Sequence, residues 1–311
     1  MGYRRRAVFH VAPSGKAHRL GFFGRRSHER VVVESCPALI PALSDAPSKL
    51  AAALEPVAKE IDTLTLLAES GEVAFAVQLT GALRPKIEEA VKRAIHSISA
   101  RGAVITPKEG RAVLIGKPAL PSLSPLHPHV PLYVRPDGFA QANAEANVAL
   151  VTSAVYELGA TEQDRVLELY SGNGNFTFAI AGTSREVVAV ESSAVSTELA
   201  RRSAQEGGVT NVRFMLGDAI KLSQGLVKEK DRFDLLFVDP PRTGAPGIAE
   251  IAKGLGVRRV VYVACDPAAL ARDAEDLKAR GFAPKALQLV DMFPQTHHIE
   301  AVMAFDAAQP G

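Results

Sequence analysis

Two side chains near the end of this 311-residue chain have the chemistry of a reactive pair. Cys265 closes the apolar run of Val-Val-Tyr-Val-Ala-Cys-Asp-Pro, residues 260–267. The run is rich in β-formers and Pro267 stops it, which places the thiol at the C-terminal tip of a buried strand. Glu300 ends Phe-Pro-Gln-Thr-His-His-Ile-Glu, residues 293–300, and opens a second apolar run. A thiolate is a nucleophile and a carboxylate takes protons, so a cysteine and a glutamate at one rim of a sheet suit covalent catalysis. The bland alternatives are a buried inert cysteine and a solvated acid at a strand end. His297 and His298 invite a metal reading, but no further ligands stand at matching spacing, so they are taken as structural or substrate-orienting and no metal is expected.

The elements that must carry this pair divide the chain in two. Residues 1–125 read as an α+β domain. Its strand-like runs are Ala7–Val11, Val31–Val33, Thr63–Leu67 and Val73–Leu79, and its helical patterns are Ala38–Leu54 and Leu83–Ser99. Five prolines in residues 116–131 exclude a helix and predict a stiff connector. Residues 126–311 then alternate: helix Ala144–Leu158, strand Val166–Tyr170, a glycine turn, a short helix from Phe176, strand Val187–Glu191, helix Ala194–Gln205, and strands Val212–Leu216, Phe233–Val238 and Arg259–Ala264. Near-continuous apolar strands between helices predict a doubly wound, mostly parallel α/β sheet. An antiparallel strand near Ile299–Phe305 is expected to end it.

Composition narrows the setting. No apolar run approaches the roughly 20 residues of a membrane helix. Two cysteines, Cys36 and Cys265, are too few for a disulfide framework or a four-cysteine metal site, which predicts a reduced, cytoplasmic location. Net charge is +2, yet residues 1–30 alone carry +7, from Arg4, Arg5, Arg6, Lys16, Arg19, Arg25, Arg26 and Arg30 against Glu29. Such a cluster suits a polyanion, or is a solvated basic surface of no special purpose.

The loop at the first strand-to-helix turn is Glu-Leu-Tyr-Ser-Gly-Asn-Gly-Asn-Phe-Thr, residues 168–177. Gly172 and Gly174 permit a tight turn and close backbone approach. A dinucleotide fingerprint needs glycine where Thr177 stands, so the loop resembles the shorter turn of S-adenosylmethionine-dependent methyltransferases instead. Acids follow at later strand ends. Glu191 is suited to the ribose hydroxyls, Asp218 falls near the adenine side, and Asp239 ends the fourth strand in Val-Asp-Pro-Pro-Arg. Arg242 suits an oxygen, on a carbonyl or a phosphate, better than an aromatic face.

With these blocks in order, the chain resembles the uracil-C5 RNA methyltransferase family. The likeness covers residues 139–306, and more weakly 3–54. It rests on Phe139–Asn143 with Asn147, on Leu169–Thr177, on Asp239–Arg242, on Ala264–Pro267 and on Phe293–Glu300. The resemblance implies that Gln141, Tyr170, Asn175, Glu191 and Asp239 contact S-adenosylmethionine, that Cys265 is the nucleophile, and that Glu300 is the general base. It implies 5-methyluridine formation in ribosomal or transfer RNA by attack of Cys265 on carbon 6, with RNA as partner; from the missing apolar span and the two cysteines, no membrane and no metal cluster are expected, and the chain is read as a monomer. A methyltransferase on a non-RNA substrate and an inactive RNA-binding paralogue are the alternatives.

The chain departs from the family in places. The small β-barrel with which many members begin is expected to be absent. Cys36 resembles one position of a four-cysteine iron–sulfur site found in some members, but three partners are missing. Asp266 replaces the usual asparagine and is expected to raise the pKa of the neighbouring thiol. Gln295 replaces a common histidine.

Overall fold

The computed structural model describes residues 2–14, 17–24, 27, 29–33, 35–296 and 298–308. The chain forms two units, one of Met1–Ser122 and Val134–Ala144, the other of Leu123–Tyr133 and Glu145–Gly311. It therefore passes between units three times around the proline-rich stretch, where a single boundary after residue 125 was drawn.

In the first unit, β1 (Arg6–Ser14), β2 (Ala17–Phe23), β3 (Arg30–Val32), β4 (Ile61–Glu69), β5 (Glu72–Leu79), β6 (Gly102–Thr106) and β7 (Val113–Gly116) form one sheet in the order β3-β2-β1-β4-β5-β6-β7. Only β5 and β6 run parallel, joined by a crossover helix. Two helices, α1 (Ala46–Leu54) and α2 (Pro85–Ser97), share its core. Ile87, Ala90, Val91 and Ala94 of α2 recur at helical spacing and are fully buried. Both helices start later than their sequence patterns. Pro41 permits only a 3₁₀ turn over Pro41–Leu43, and Pro47 and Pro85 sit in first turns, where a missing N–H costs nothing.

The prolines of residues 116–131 do exclude a helix, but the segment is not a plain connector. β8 (Leu120–Ser124) and β9 (His127–Val134) pair as a two-stranded sheet around Pro125-Leu126, with Leu126 at φ +63°. In a two-stranded sheet every strand is an edge, and an edge tolerates proline.

The second unit follows with α3 (Ala144–Leu158), β10 (Arg165–Leu169), α4 (Thr177–Ala181), β11 (Glu186–Glu191), α5 (Ala194–Glu206), β12 (Val212–Leu216), α6 (Ala219–Lys228), β13 (Leu235–Val238), α7 (Ile248–Leu255), β14 (Arg259–Ala264), α8 (Pro267–Ala279), β15 (Phe282–Val290) and β16 (Glu300–Ala307). The sheet order is β12-β11-β10-β13-β14-β16-β15. The first five strands in that order are parallel, and β16 runs against both of its neighbours. Side chains of β10 alternate between two cores. Leu167 and Leu169 pack with Leu226, Ile251 and Leu277 of α6, α7 and α8, and Val166 packs with Leu150 of α3 and Ile180 of α4. Helices on both faces explain the unbroken apolar strands. The order of connection reverses between β10 and β13, which opens a crevice beyond their carboxyl ends.

Candidate active site

Strand register brings the reactive pair together. Ala264 of β14 pairs with Ala301 of β16, so Cys265 and Glu300, the next residue on each chain, stand at neighbouring strand ends. A parallel strand delivers only its last residue to this rim; β16 runs the other way and delivers its first.

Glu300 is 8% exposed. Burial pushes its carboxyl up to about 7, with the Arg242 charge pulling partly the other way. Cys265 is half-buried, and burial and then the Glu300 charge raise its thiol. Arg242 opposes this by its charge. The pair is thus tuned by one exposed guanidinium on the loop after β13.

The expected effect of Asp266 does not appear. Asp266 is the N-cap of α8, and its Oδ1 accepts the N–H groups of Ala268 and Ala269, each at 2.9 Å. These bonds and nearby Arg272 and Arg242 hold its own carboxyl low. The charges that act on Cys265 are those of Glu300, Arg242 and Asp239. The helix N-terminus takes up the negative charge that was expected to bear on sulfur.

Further along the rim, Leu169 pairs with Val190 on one side and Val238 on the other. The next residues, Tyr170, Glu191 and Asp239, therefore stand in a row across β11, β10 and β13. Asp239 is raised by burial and by Glu300. Tyr170, held at φ +64°, begins the glycine turn, and burial and nearby Asp218 push its phenol up to about 12. Asp218 itself is exposed and caps α6 by accepting the Lys221 N–H at 2.8 Å.

The turn is tied at each step. The Gly172 N–H donates to Glu191 Oε2 at 2.9 Å, and the Ser193 N–H to Glu191 Oε1 at 2.6 Å. Glu191 Oε1 also accepts the Ser192 hydroxyl at 3.2 Å, so Oε2 is the oxygen that keeps a lone pair for another donor, such as a ribose hydroxyl. Asn175 and Asn147 exchange amide hydrogen bonds at 2.8 and 2.9 Å, and Asn173 donates to the Tyr133 carbonyl at 2.8 Å. Gly174 sits at φ +98°, and a β-carbon there would lie 2.6 Å from the Phe178 ring. Over Gly172 nothing lies within 4 Å of where a β-carbon would be. A bare backbone beside open space, with acids on the adjoining strands, fits a nucleoside-bearing cofactor without phosphates.

One group was not singled out from the sequence. Glu168, on β10, is 1% exposed, and the Thr177 hydroxyl faces it in a contact too loose for a well-formed hydrogen bond. Burial pushes it up to about 8, with Asp239 and Glu191 adding to the rise. The available signal was an acid inside an otherwise apolar strand.

Other predicted residues are placed as follows. Gln141 belongs to the first unit, where its carbonyl accepts the Arg5 Nε–H at 2.8 Å. Arg5 is itself buried against Glu69 at 2.8 Å, so part of the basic segment is structural. Arg30 donates to the Val11 carbonyl at 2.7 Å, and Arg19 is exposed. Lys16, Arg25, Arg26 and His297 lie outside the described residues. The His298 ring meets Phe293 edge-on at 5.9 Å, and Gln295 is held at φ +70°. Among the described residues no cluster of His, Cys, Asp and Glu could hold a metal ion, and no helix is long and apolar enough to cross a membrane.

The family model described as tRNA (uracil-5-)-methyltransferase matches residues 2–307. The chain is 35% identical to a 23S rRNA (uracil(1939)-C(5))-methyltransferase RlmD of Shewanella sediminis, over 98% of this chain and 69% of that protein. It is also 35% identical to the RlmD of Pseudomonas savastanoi pv. phaseolicola, over 99% and 69%. In fold it is similar to the Pyrococcus abyssi tRNA (uracil-54, C5)-methyltransferase solved with S-adenosyl-L-homocysteine, at a TM-score of 0.72 and 21% identity, covering 98% of this chain and 76% of that one. A match along nearly the whole length, joined to a cysteine and a glutamate at the same sheet rim, means that the chain belongs to the tRNA (uracil-5-)-methyltransferase family.

Proposed function

We propose that this chain methylates carbon 5 of a uridine in RNA through a covalent adduct of Cys265. The observation that carries this reading is the β14–β16 register, which brings the strand ends bearing Cys265 and Glu300 side by side. The cofactor would be S-adenosylmethionine, supported by the Gly172 backbone, the free lone pair of Glu191 Oε2, and Tyr170, Asn175, Asp218 and Asp239 around the crevice. When bound, it supplies an electrophilic methyl group.

The remaining chemistry falls to this chain's residues. Carbon 5 of uracil is a weak nucleophile. The Cys265 thiolate adds to carbon 6, forming an S–C bond, and the displaced π electrons make carbon 5 part of an enolate. After carbon 5 has gained the methyl group, it carries both that group and its original hydrogen. Glu300 as carboxylate takes this proton; the C–H electron pair restores the 5,6 double bond and expels the thiolate. A buried carboxyl near 7 is suited to hold the proton and then lose it. Arg242, beside the sulfur, favours the thiolate and would shield it from the Glu300 charge. The target base must leave its stack to present carbon 6.

The named relatives make ribosomal RNA the first substrate to test and transfer RNA the second. Incubation with cofactor and each RNA pool, followed by nucleoside mass spectrometry, should yield 5-methyluridine. Cys265→Ala should abolish it while still binding S-adenosyl-L-homocysteine. Substantial product from Cys265→Ala would overturn the covalent route.

A further inference from the structure

Behind the Cys265 rim lies a buried polar junction that the steps above do not use. Tyr262 of β14 is fully enclosed, and its hydroxyl donates to Asp273 Oδ2 at 2.6 Å. The same oxygen accepts the Ala245 N–H at 2.7 Å. Asp273 is 5% exposed and lies on α8, the helix that starts immediately after the nucleophile. Ala245 lies on the segment between β13 and α7, which begins at Asp239 and carries Arg242. One carboxylate oxygen thus joins the strand of the nucleophile, the helix behind it and the loop of the guanidinium.

The junction is close-fitting. Gly244 stands at φ +81°, and a β-carbon there would lie 2.7 Å from Asp273 Oδ2. Only glycine accepts both the dihedral and the approach. Arg272 makes a second tie from α8, donating to the Thr243 carbonyl at 3.4 Å. Burying an acid is unfavourable compared with an apolar side chain of similar size, so one kept here points to a geometric task. The same loop carries Arg242, whose charge acts on Cys265 against the negative charges of Glu300 and Asp239.

We propose that Asp273 is a positioning residue for the reaction: by holding Ala245 and Tyr262 it fixes the loop that presents the Arg242 charge to Cys265. The proposal rests on the reading of Cys265 as the attacking group.

The test reads the thiol directly, without RNA or cofactor. Alkylation of Cys265 by iodoacetamide is followed on its own peptide by mass spectrometry, which separates it from Cys36, across a range of pH. Only the thiolate reacts. Asp273→Ala should slow alkylation at pH 8 by about tenfold, a rise of about one unit in the pH at which Cys265 becomes reactive. Arg242→Ala should do the same, and the double variant should add little. Asp273→Asn keeps an acceptor oxygen for both donors and should stay within about twofold of wild type. Should Asp273→Ala not fold, Tyr262→Phe, which removes one donor, should shift the profile in the same direction by less. A lowered melting temperature with an unchanged pH profile would overturn the proposal, as would an Arg242→Ala profile equal to wild type. Failure of the covalent reading itself would show separately, as no adduct between wild-type protein and a trapping RNA.

Discussion

Glu300→Gln should make the protein more stable while removing its turnover. Burial takes Glu300 from 4.5 to about 7. At 1.36 kcal/mol per unit, ionising this carboxyl in the folded protein costs about 3 kcal/mol. The folded state binds the proton more tightly than the unfolded chain. The group's contribution to stability is therefore full below about pH 4.5 and is lost as the pH rises through about 7. Glutamine is neutral at every pH and nearly the same shape. The expected gain is under about 1 kcal/mol at pH 5 and about 3 kcal/mol at pH 8. With about 2–4 °C per kcal/mol for a unit of this size, the melting temperature should rise by about 6 °C or more at pH 8. Relief of the like-charged neighbour Asp239 adds to the gain. Turnover should fall by about 10²-fold or more, as for the loss of a general base. Thermal unfolding of both proteins at pH 5 and pH 8, beside a methyl-transfer assay, reads all three numbers. An unchanged or lower melting temperature at pH 8, or the same gain at both pH values, would refute the reasoning.

Two further substitutions probe the walls of the site. Gly174→Ala puts a carbon 2.6 Å from the Phe178 ring at φ +98°, and should weaken S-adenosyl-L-homocysteine binding by about tenfold or more in calorimetry. Gly225→Ala in α6, where nothing lies within 4 Å, should leave binding unchanged and serves as the control. Asp266→Ala removes the acceptor of both α8 cap bonds and should lower the midpoint of denaturant unfolding. It should leave the pH dependence of Cys265 alkylation unchanged, because the cap and not the thiol holds that charge.

Much of the second unit was legible because its strands obey two strong rules. In β14 Val260–Ala264 is an unbroken apolar run with Pro267 soon after it, and the observed bounds Arg259–Ala264 match the sequence reading. Tyr170, Glu191, Asp239 and Cys265 were legible for a related reason: each follows the last apolar position of a parallel strand, whereas Glu300 opens the antiparallel β16. Local signals failed at the edges. β15 exposes Leu287 and Leu289 at 58% and 61%, and carries Pro284 at a bulge, so it shows neither a buried run nor clean alternation. The β8–β9 pair was hidden by prolines that an edge strand tolerates. Charge was misread for another reason. Arg5 and Asp266 look like free charges in one dimension, yet one is buried against Glu69 and the other caps a helix. The Tyr262–Asp273–Ala245 junction links residues up to 28 apart and leaves no local pattern.

The central claim is that Cys265 bonds to carbon 6 of a uridine, and a trap tests it most directly. RNA containing 5-fluorouridine is incubated with the protein and S-adenosylmethionine, then run on a denaturing gel. Fluorine cannot leave as a proton does, so Glu300 has nothing to remove and the thiolate is not expelled. The account predicts a protein–RNA band that persists under denaturation, maps to Cys265 by peptide mass spectrometry and is absent from Cys265→Ala. A protein that binds cofactor and methylates RNA, yet gives no such band, would contradict it.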